Sequence, residues 1–202
     1  MQIERERRFR LTSDTYLRLL SLADWSPPNV VTDVTMGHNG QQSMETDGWV
    51  VRLRTEGGRS SIQFKGRLAT DQEHLEAAVG IDSVADAAEL LSLMGLRLGL
   101  VINRTRRYAD LNGAHLALDD VSGLGHFLEV ELDDDEDCGI FAFLARHIDV
   151  AAECGTYGDL ILDRQRTDST WADRYRQKTE QVLASLQLQH LQSGYARWRD
   201  HG

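Results

Sequence analysis

The chain has 202 residues, 41% hydrophobic and 27% charged, enough for one large domain or one domain with an appendage. Its formal charge of -10 argues against a nucleic-acid-binding surface, because phosphate contacts need a net basic footprint. Cys138 and Cys154 are too few for a disulfide framework or a zinc ribbon and read as free thiols.

The first expected element is a strand over Gln2–Arg10. Within it, Glu4, Glu6 and Arg8 occupy alternate positions and therefore share one face. A helix follows over Ser13–Ala23, with Tyr16, Leu19, Leu20 and Ala23 as its apolar stripe. Further strands are expected at Val30–Gly37, Gly48–Glu56, Ser60–Arg67 and Glu73–Ile81. Ser83, with Asp86 three residues on, starts a second helix in which Leu90, Leu91 and Leu93 pack and which Gly95 stops. Strands Leu100–Asp110, Ala114–Asp120 and His126–Leu132 come next. Gly57-Gly58 and Asn112-Gly113 are hairpin turns that pair the third strand with the fourth and the sixth with the seventh.

A third helix is expected over Asp135–Ala152, on the stripe Ile140, Phe143, Leu144 and Ile148, with the acidic run Asp133–Asp137 charging its first turn favourably. The last helix runs from Thr167 to about Gln192, with Trp171, Tyr175, Val182 and Leu186 on one side. It caps one end of the sheet or makes a homodimer contact. Trp25, Trp171 and Trp198 read as packing residues, and Trp49 as a candidate mouth residue. The expected fold is α+β: an eight-stranded antiparallel closed β-barrel with flanking helices and a C-terminal helix. Residues 1–165 form the barrel domain and 166–202 the helical extension. No apolar signal region opens the chain and no apolar run approaches the ~18 residues of a membrane span, so a soluble, cytoplasmic protein is expected, with neither membrane nor nucleic acid as partner.

The charged residues repeat with period two along strand after strand. Arg52 and Arg54 oppose Val51 and Leu53; Gln63 and Lys65 oppose Ile62 and Phe64; Asp119 is in phase with His115 and Ala117; Glu129 and Glu131 oppose Leu128, Val130 and Leu132. Arg104 and Arg106 also stand two apart. For any single strand this pattern suits a solvated outer face. Repeated through a barrel, it suits an inverted one, with apolar faces under helices and charges lining the interior. The lining then holds the carboxylates Glu4, Glu6, Asp119, Glu129 and Glu131 and the bases Arg8, Arg52, Arg54, Lys65, Arg104 and Arg106. Unpaired in a dry interior such a set would be ruinous. It balances around a polyphosphate with Mg²⁺ or Mn²⁺, the carboxylates holding metal and the bases phosphate oxygens. The other histidines, His38, His74, His126, His147, His190 and His201, have no ligand spacing and are expected mostly at the surface, while His115 has the phase to reach the cavity.

These elements, in this order, resemble the CYTH superfamily, the triphosphate tunnel metalloenzymes. Glu4-x-Glu6-x-Arg8 is similar to the family's E-x-E-x-K strand, Arg52 and Arg54 to its R-x-R strand, and Lys65 to its strand lysine. Arg104 and Arg106, Asp119, and Glu129 with Glu131 follow as its basic, aspartate and late glutamate strands. Gly123–Glu129 (G-L-G-H-F-L-E) and the later Thr156-Tyr157-x-Asp159-Leu160 look most like the class IV adenylyl cyclase branch. The resemblance implies Mg²⁺ or Mn²⁺ on Glu4, Glu6, Asp119, Glu129 and Glu131. It implies a triphosphate on Arg8, Arg52, Arg54, Lys65, Arg104 and Arg106, with Arg8, Lys65 and Arg106 acting in the chemistry.

Two activities follow from it, cyclisation of ATP to cyclic AMP and pyrophosphate or hydrolysis of inorganic, thiamine or nucleoside triphosphate; departures from its pattern motivate a third reading, non-catalytic binding of a polyphosphate or nucleotide. The sequence departs from the pattern at several points. Arg8 stands where the motif has lysine. The glutamate pair after Lys65 is spaced by three (Glu73, Glu76), which leaves Glu76 as its one counterpart, and no lysine immediately precedes Thr156. Arg107 is the inward residue instead if the sixth strand is shifted by one.

Overall fold

The computed structural model describes residues 2–42, 44, 47–68, 73–132 and 139–191, with backbone alone at 2, 4, 42 and 73. Eight antiparallel strands form the sheet: β1 (Gln2–Leu11), β2 (Asn29–Gly37), β3 (Trp49–Glu56), β4 (Arg59–Arg67), β5 (Glu73–Ile81), β6 (Arg97–Leu111), β7 (Ala114–Val121) and β8 (Gly125–Leu132). Their hydrogen-bonded order is β1-β5-β4-β3-β2-β6-β7-β8, and β8 pairs with β1, which closes the ring. Both expected hairpins form. Gly57 and Gly58 take φ of 56° and 77°, and Asn112 and Gly113 take 51° and 77°, the left-handed pair that a two-residue turn requires.

Among the described residues, five α-helices cover the outside and one end: α1 (Ser13–Leu19), α2 (Val84–Leu93), α3 (Ile140–Leu144), α4 (Tyr157–Thr167) and α5 (Ser169–Ser185). None of the described helices is long and apolar enough to cross a membrane. The outward faces of β2, β3 and β6 bury Val34, Met36, Leu53 and Val101 against Ala87, Ala88 and Leu91 of α2 and Leu183 of α5. On the other side Phe9, Leu118, Leu128 and Val130 pack under Leu19, Ile140 and Leu144. A third cluster joins Leu100, Ile102 and Phe127, which lie in the inward phase of their strands, to Tyr157, Ile161 and Leu162 of α4 and to Trp171 and Tyr175 of α5. Thus α4 covers one end of the barrel interior, and α5 braces α4 from behind.

A β-bulge interrupts the β2–β6 pairing between Val34 and Met36. Polar side chains satisfy the backbone it frees. Thr35 Oγ1 accepts from Leu100 N at 2.6 Å, and the Tyr175 hydroxyl accepts from Val101 N and donates to Val101 O. Gly99 lies in the same stretch, where a Cβ would stand 2.5 Å from Thr35 Oγ1.

The strands fall where the alternation puts them, to within a few residues at each end. The helices differ more. The expected helix over Asp135–Ala152 is the five-residue α3, followed by turns and a 3₁₀ turn at Val150–Ala152; its acidic first turn lies outside the described residues. Ile140, Leu144 and Ile148 are buried as expected, since their spacing serves a bent segment as well as a helix. The expected C-terminal helix starts where it should, as α5, but ends at Ser185 and is followed by a 3₁₀ turn at Gln189–Leu191, while α4 before it was not expected. Asp168 leaves helical geometry (φ -137°, ψ 93°), ends α4, and caps α5 by accepting from Trp171 N at 2.9 Å. On α2, Leu90 and Leu93 are 56% and 80% exposed, because the buried stripe is Ala87, Ala88 and Leu91 and they fall outside it. Trp49 faces outward with Val51 and stacks on Phe64 rather than lining a mouth.

Leu183, 1% exposed, ties α5 to the outside of the barrel. Leu183→Ala should cost about 2–5 kcal/mol of unfolding free energy in urea. A cost below about 0.5 kcal/mol would mean that α5 does not brace the barrel.

Candidate functional site

The barrel is inverted. Outward residues of most strands are apolar and packed under helices, and away from the end covered by α4 the inward residues are mainly charged. They surround a cavity of about 130 Å³ lined by Glu6, Arg8, Arg52, Arg54, Lys65, Arg104, Arg106, Glu129 and Glu131, together with Asp33 and Glu76. Nine of the eleven candidate residues therefore meet on one wall system. Arg104 and Arg106 are the inward pair of β6, whereas Arg107 donates to Ser26 O outside the barrel, so the strand is not shifted.

Arg8 is the most tightly held cation. Its Nε donates to Glu129 Oε1 at 2.8 Å, Nη2 to Glu6 Oε1 at 2.6 Å, and Nη1 to Gly155 O at 3.1 Å. Its guanidinium also lies 4.4 Å from the centroid of the Tyr157 ring. A lysine could make neither the fork nor the stacking contact. Arg106 grips Asp119 with two bonds, at 2.7 and 2.5 Å, and also reaches Glu129. Arg104, Arg54 and Arg52 converge on Asp33. Arg54 Nε and Nη2 donate at 2.7 and 3.0 Å, Arg104 Nη1 at 2.8 Å, and Arg52 Nη1 stands at 3.8 Å. Lys65 Nζ lies 3.3 Å from Glu6 and 3.0 Å from Glu76, and Arg52 is 3.6 Å from Glu76.

These pairs set the protonation states. Burial pushes the Glu6 carboxyl up, but Lys65 and Arg8 outweigh it and hold its pKa at about 2. Burial likewise opposes ionisation of Asp33 and Glu129, and the arginines around each win, keeping both well below the usual carboxylate range. Glu131 behaves in the opposite way. Burial, then the charges of Glu129 and Glu6, raise its pKa, and among the described residues it has no ion pair. Burial, then Glu129 and Asp119, push the Tyr157 hydroxyl well up, so it stays protonated and donates to Asp119 Oδ2 at 2.7 Å.

Two candidates are placed differently from the rest. Asp119 is fully buried behind the cavity wall, its oxygens engaged by Arg106 and Tyr157. Glu4 pairs across the ladder with His74 on β5, in phase with Glu6, but its side chain lies outside the described residues. His115 does not reach the cavity; it is exposed at the barrel rim and contacts Asp110. Among the described residues no three carboxylate, imidazole or thiolate groups are arranged to hold a metal ion, because Glu6 and Glu129 face cations. The donor chemistry nevertheless suits a hard divalent cation. Glu6, Glu129 and Glu131 offer carboxylate oxygens on adjoining strands, and the unpaired, mutually repelling Glu131 is a group such a cation would relieve.

The sequence reading missed Asp33, the hub of three arginines, since one aspartate in Val-Val-Thr-Asp-Val shows no charge alternation. It also missed His74. Glu76, the one counterpart kept on β5, does face inward, and its inward partner is His74, two residues before it, a spacing that carries the signal. His74 is 2% exposed rather than at the surface, and neither ring nitrogen has a hydrogen-bond partner. Burial, then Lys65, lower its pKa. Tyr157 is positioned by the capping box of α4, in which Thr156 Oγ1 accepts from Asp159 N and Asp159 accepts from Thr156 N. Thr156-x-x-Asp159 is the sequence sign of that helix start.

Residues 2–153 match the CYTH domain family, and the chain belongs to it. Of the solved structures it is similar to, the PH1012 protein of Pyrococcus horikoshii OT3 is 22% identical, with a TM-score of 0.66 over 78% of this chain and 98% of that one. A proposed adenylate cyclase from Vibrio parahaemolyticus is 20% identical, with a TM-score of 0.61 over 79% and 98%. A proposed adenylyl cyclase from Hippeastrum, described with a dominant triphosphatase activity, is 16% identical, with a TM-score of 0.55 over 73% and 88%. At these identities the likeness is one of fold. A search of curated protein sequences finds no match.

Two outcomes follow from the charge network. Carboxyls with depressed folded pKa values stabilise the fold above their unfolded values of about 4 and stop doing so as pH falls through the folded ones. Unfolding followed by circular dichroism should therefore show stability lost between about pH 4 and the value of about 2 set by Glu6; a flat profile there would contradict the pairing. Asp33→Asn leaves three buried guanidiniums facing one another and should cost about 3–5 kcal/mol in urea unfolding. An unchanged midpoint would show that Asp33 is not their hub.

Proposed function

We propose that the barrel binds a triphosphate together with Mg²⁺ or Mn²⁺ and cleaves it at the α-phosphate, converting ATP to cyclic AMP and pyrophosphate as class IV adenylyl cyclases do. One observation carries this reading: the cavity wall is divided by chemistry. Most lining bases (Arg52, Arg54, Lys65, Arg104 and Arg106) stand on β3, β4 and β6, with Asp33 and Glu76 among them; Glu6, Glu129 and Glu131 stand on β1 and β8 beside Arg8, and apolar Leu100, Ile102 and Leu162 lie at the end covered by α4. The basic part suits a phosphate chain, the acidic part a divalent cation, and the apolar part an organic group.

Arg52, Arg54, Arg104 and Arg106 hold the phosphate oxygens, exchanging carboxylate partners for phosphate ones. Arg8, Lys65 and Arg106 stabilise the charge that develops on the leaving pyrophosphate. Arg8 is suited to this despite replacing a lysine, because four contacts fix its plane. Asp119 orients Arg106 and Tyr157, and the metal falls to Glu4, Glu6, Glu129 and Glu131. When bound, the metal neutralises phosphate charge and lowers the pKa of the attacking 3′-hydroxyl. Residues 1–165 act as the binding barrel and 166–202 as the extension, of which α5 braces the barrel.

A triphosphatase reading shares every phosphate and metal contact, with water as nucleophile. It is favoured by the lining's one aromatic ring among the described residues, Tyr157, which is committed to Arg8 and Asp119 and offers no platform to a base. The triphosphatase activity described for the Hippeastrum protein agrees with it.

Product analysis with ATP and with inorganic triphosphate, each with Mg²⁺ or Mn²⁺, separates the two. Cyclic AMP with pyrophosphate supports the cyclase; orthophosphate, released fastest from inorganic triphosphate, replaces it with the hydrolase. Glu4→Ala should reduce either turnover by about a hundredfold or more, since the metal supplies several kcal/mol. Undiminished turnover would sink the metal assignment.

A further inference from the structure

His74 is a buried imidazole with both ring nitrogens unpartnered. It occupies the inward phase of β5, two residues before Glu76 of the cavity wall. The charges it feels are those of the interior: Lys65, Glu6, Glu76 and Arg8. On the neighbouring strand it stands directly opposite Glu4, the first carboxylate of the β1 pair. Cross-strand partners in an antiparallel ladder project from the same face with Cβ atoms about 5 Å apart. Sheet and charge thus bring a neutral nitrogen donor to the carboxylate end of the barrel, and no described side chain uses that donor.

We propose that His74 is a metal ligand, adding one imidazole nitrogen to the carboxylates of Glu4 and Glu6 and turning the site from Mg²⁺ towards Mn²⁺. This rests on the metal reading above and goes beyond it in naming the ligand and the preference. Mg²⁺ is a hard ion that takes oxygen ligands and gives up its waters reluctantly. Mn²⁺ accepts the same carboxylate oxygens, and as a first-row transition ion, although the weakest binder of that series, it takes a nitrogen ligand more readily than Mg²⁺ does. One nitrogen among oxygens therefore discriminates between two ions that an all-carboxylate site would treat more alike. The buried nitrogens also gain the partner they otherwise lack.

The test is pulsed EPR on the full chain loaded with Mn²⁺ alone. The expected echo shows ¹⁴N modulation of the strength that a directly bonded imidazole gives. In His74→Gln the modulation disappears while Mn²⁺ still binds, and the preference for Mn²⁺ over Mg²⁺, read by competition, falls about tenfold or more. Wild-type protein that binds Mn²⁺ without ¹⁴N modulation overturns the assignment of His74 and leaves the carboxylate site standing. Modulation that persists in His74→Gln also overturns it, by placing the nitrogen on another histidine. Protein that binds no Mn²⁺ overturns both this inference and the metal reading beneath it. Should His74→Gln fail to fold, His74→Asn serves instead, and the wild-type spectrum alone still decides whether a nitrogen is bound.

Discussion

The fold depends on charge compensation inside a closed sheet. Among the described residues, six basic side chains line the cavity: Arg8, Arg52, Arg54, Lys65, Arg104 and Arg106. A described carboxylate answers each of them, from Glu6, Asp33, Glu76, Asp119 and Glu129. At low dielectric a single uncancelled charge would cost several kcal/mol, so the network holds as a whole. It also fixes side chains that would otherwise be long and mobile. Asp33 gathers three guanidiniums, and Glu129 ties Arg8 to Arg106. The same compensation shapes what can enter. A bare triphosphate would overload this interior with negative charge, whereas a triphosphate carrying divalent cations arrives nearly neutral and leaves the balance intact.

The outer packing serves that interior. Apolar outward faces need cover, and helices α1, α2, α3 and α5 supply it. Helix α4 does something different, covering the end where Leu100, Ile102 and Phe127 replace charges. Its capping box delivers Tyr157 between Arg8 and Asp119. The β2–β6 bulge, held by Thr35 and Tyr175, lies under the same helices, so the bracing of α5 reaches the cavity through ordinary backbone hydrogen bonds.

Period-two alternation was legible because it is a geometric property of strands, and it located all eight of them as well as the inward bases. What it could not show was identity within an apolar strand or the phase of an irregular start. Asp33 is alone among valines and threonines, and its importance comes from neighbours on β3 and β6 that the sequence does not place. On β5, spacing keeps Glu76 and sets Glu73 aside, but His74, which phase places beside Glu76, reads in the sequence only as a histidine without ligand spacing. Asp119 was rightly placed inside, but its oxygens are taken by Arg106 and Tyr157, a pairing visible only once β6 and α4 are in place. The helix boundaries failed where apolar spacing of three and four was shared by turns, as after α3 and after Ser185, and α4 went unread although Thr156 and Asp159 mark its start.

The central claim is that the charged interior is the place where metal and triphosphate meet. Anomalous diffraction from crystals grown with Mn²⁺ and inorganic triphosphate tests it most directly. The account places the manganese signal inside the barrel beside Glu6, Glu129 and Glu131, with the phosphate chain against Arg52, Arg54, Arg104 and Arg106. Manganese and phosphate found only outside the barrel, with the internal ion pairs intact, would contradict it.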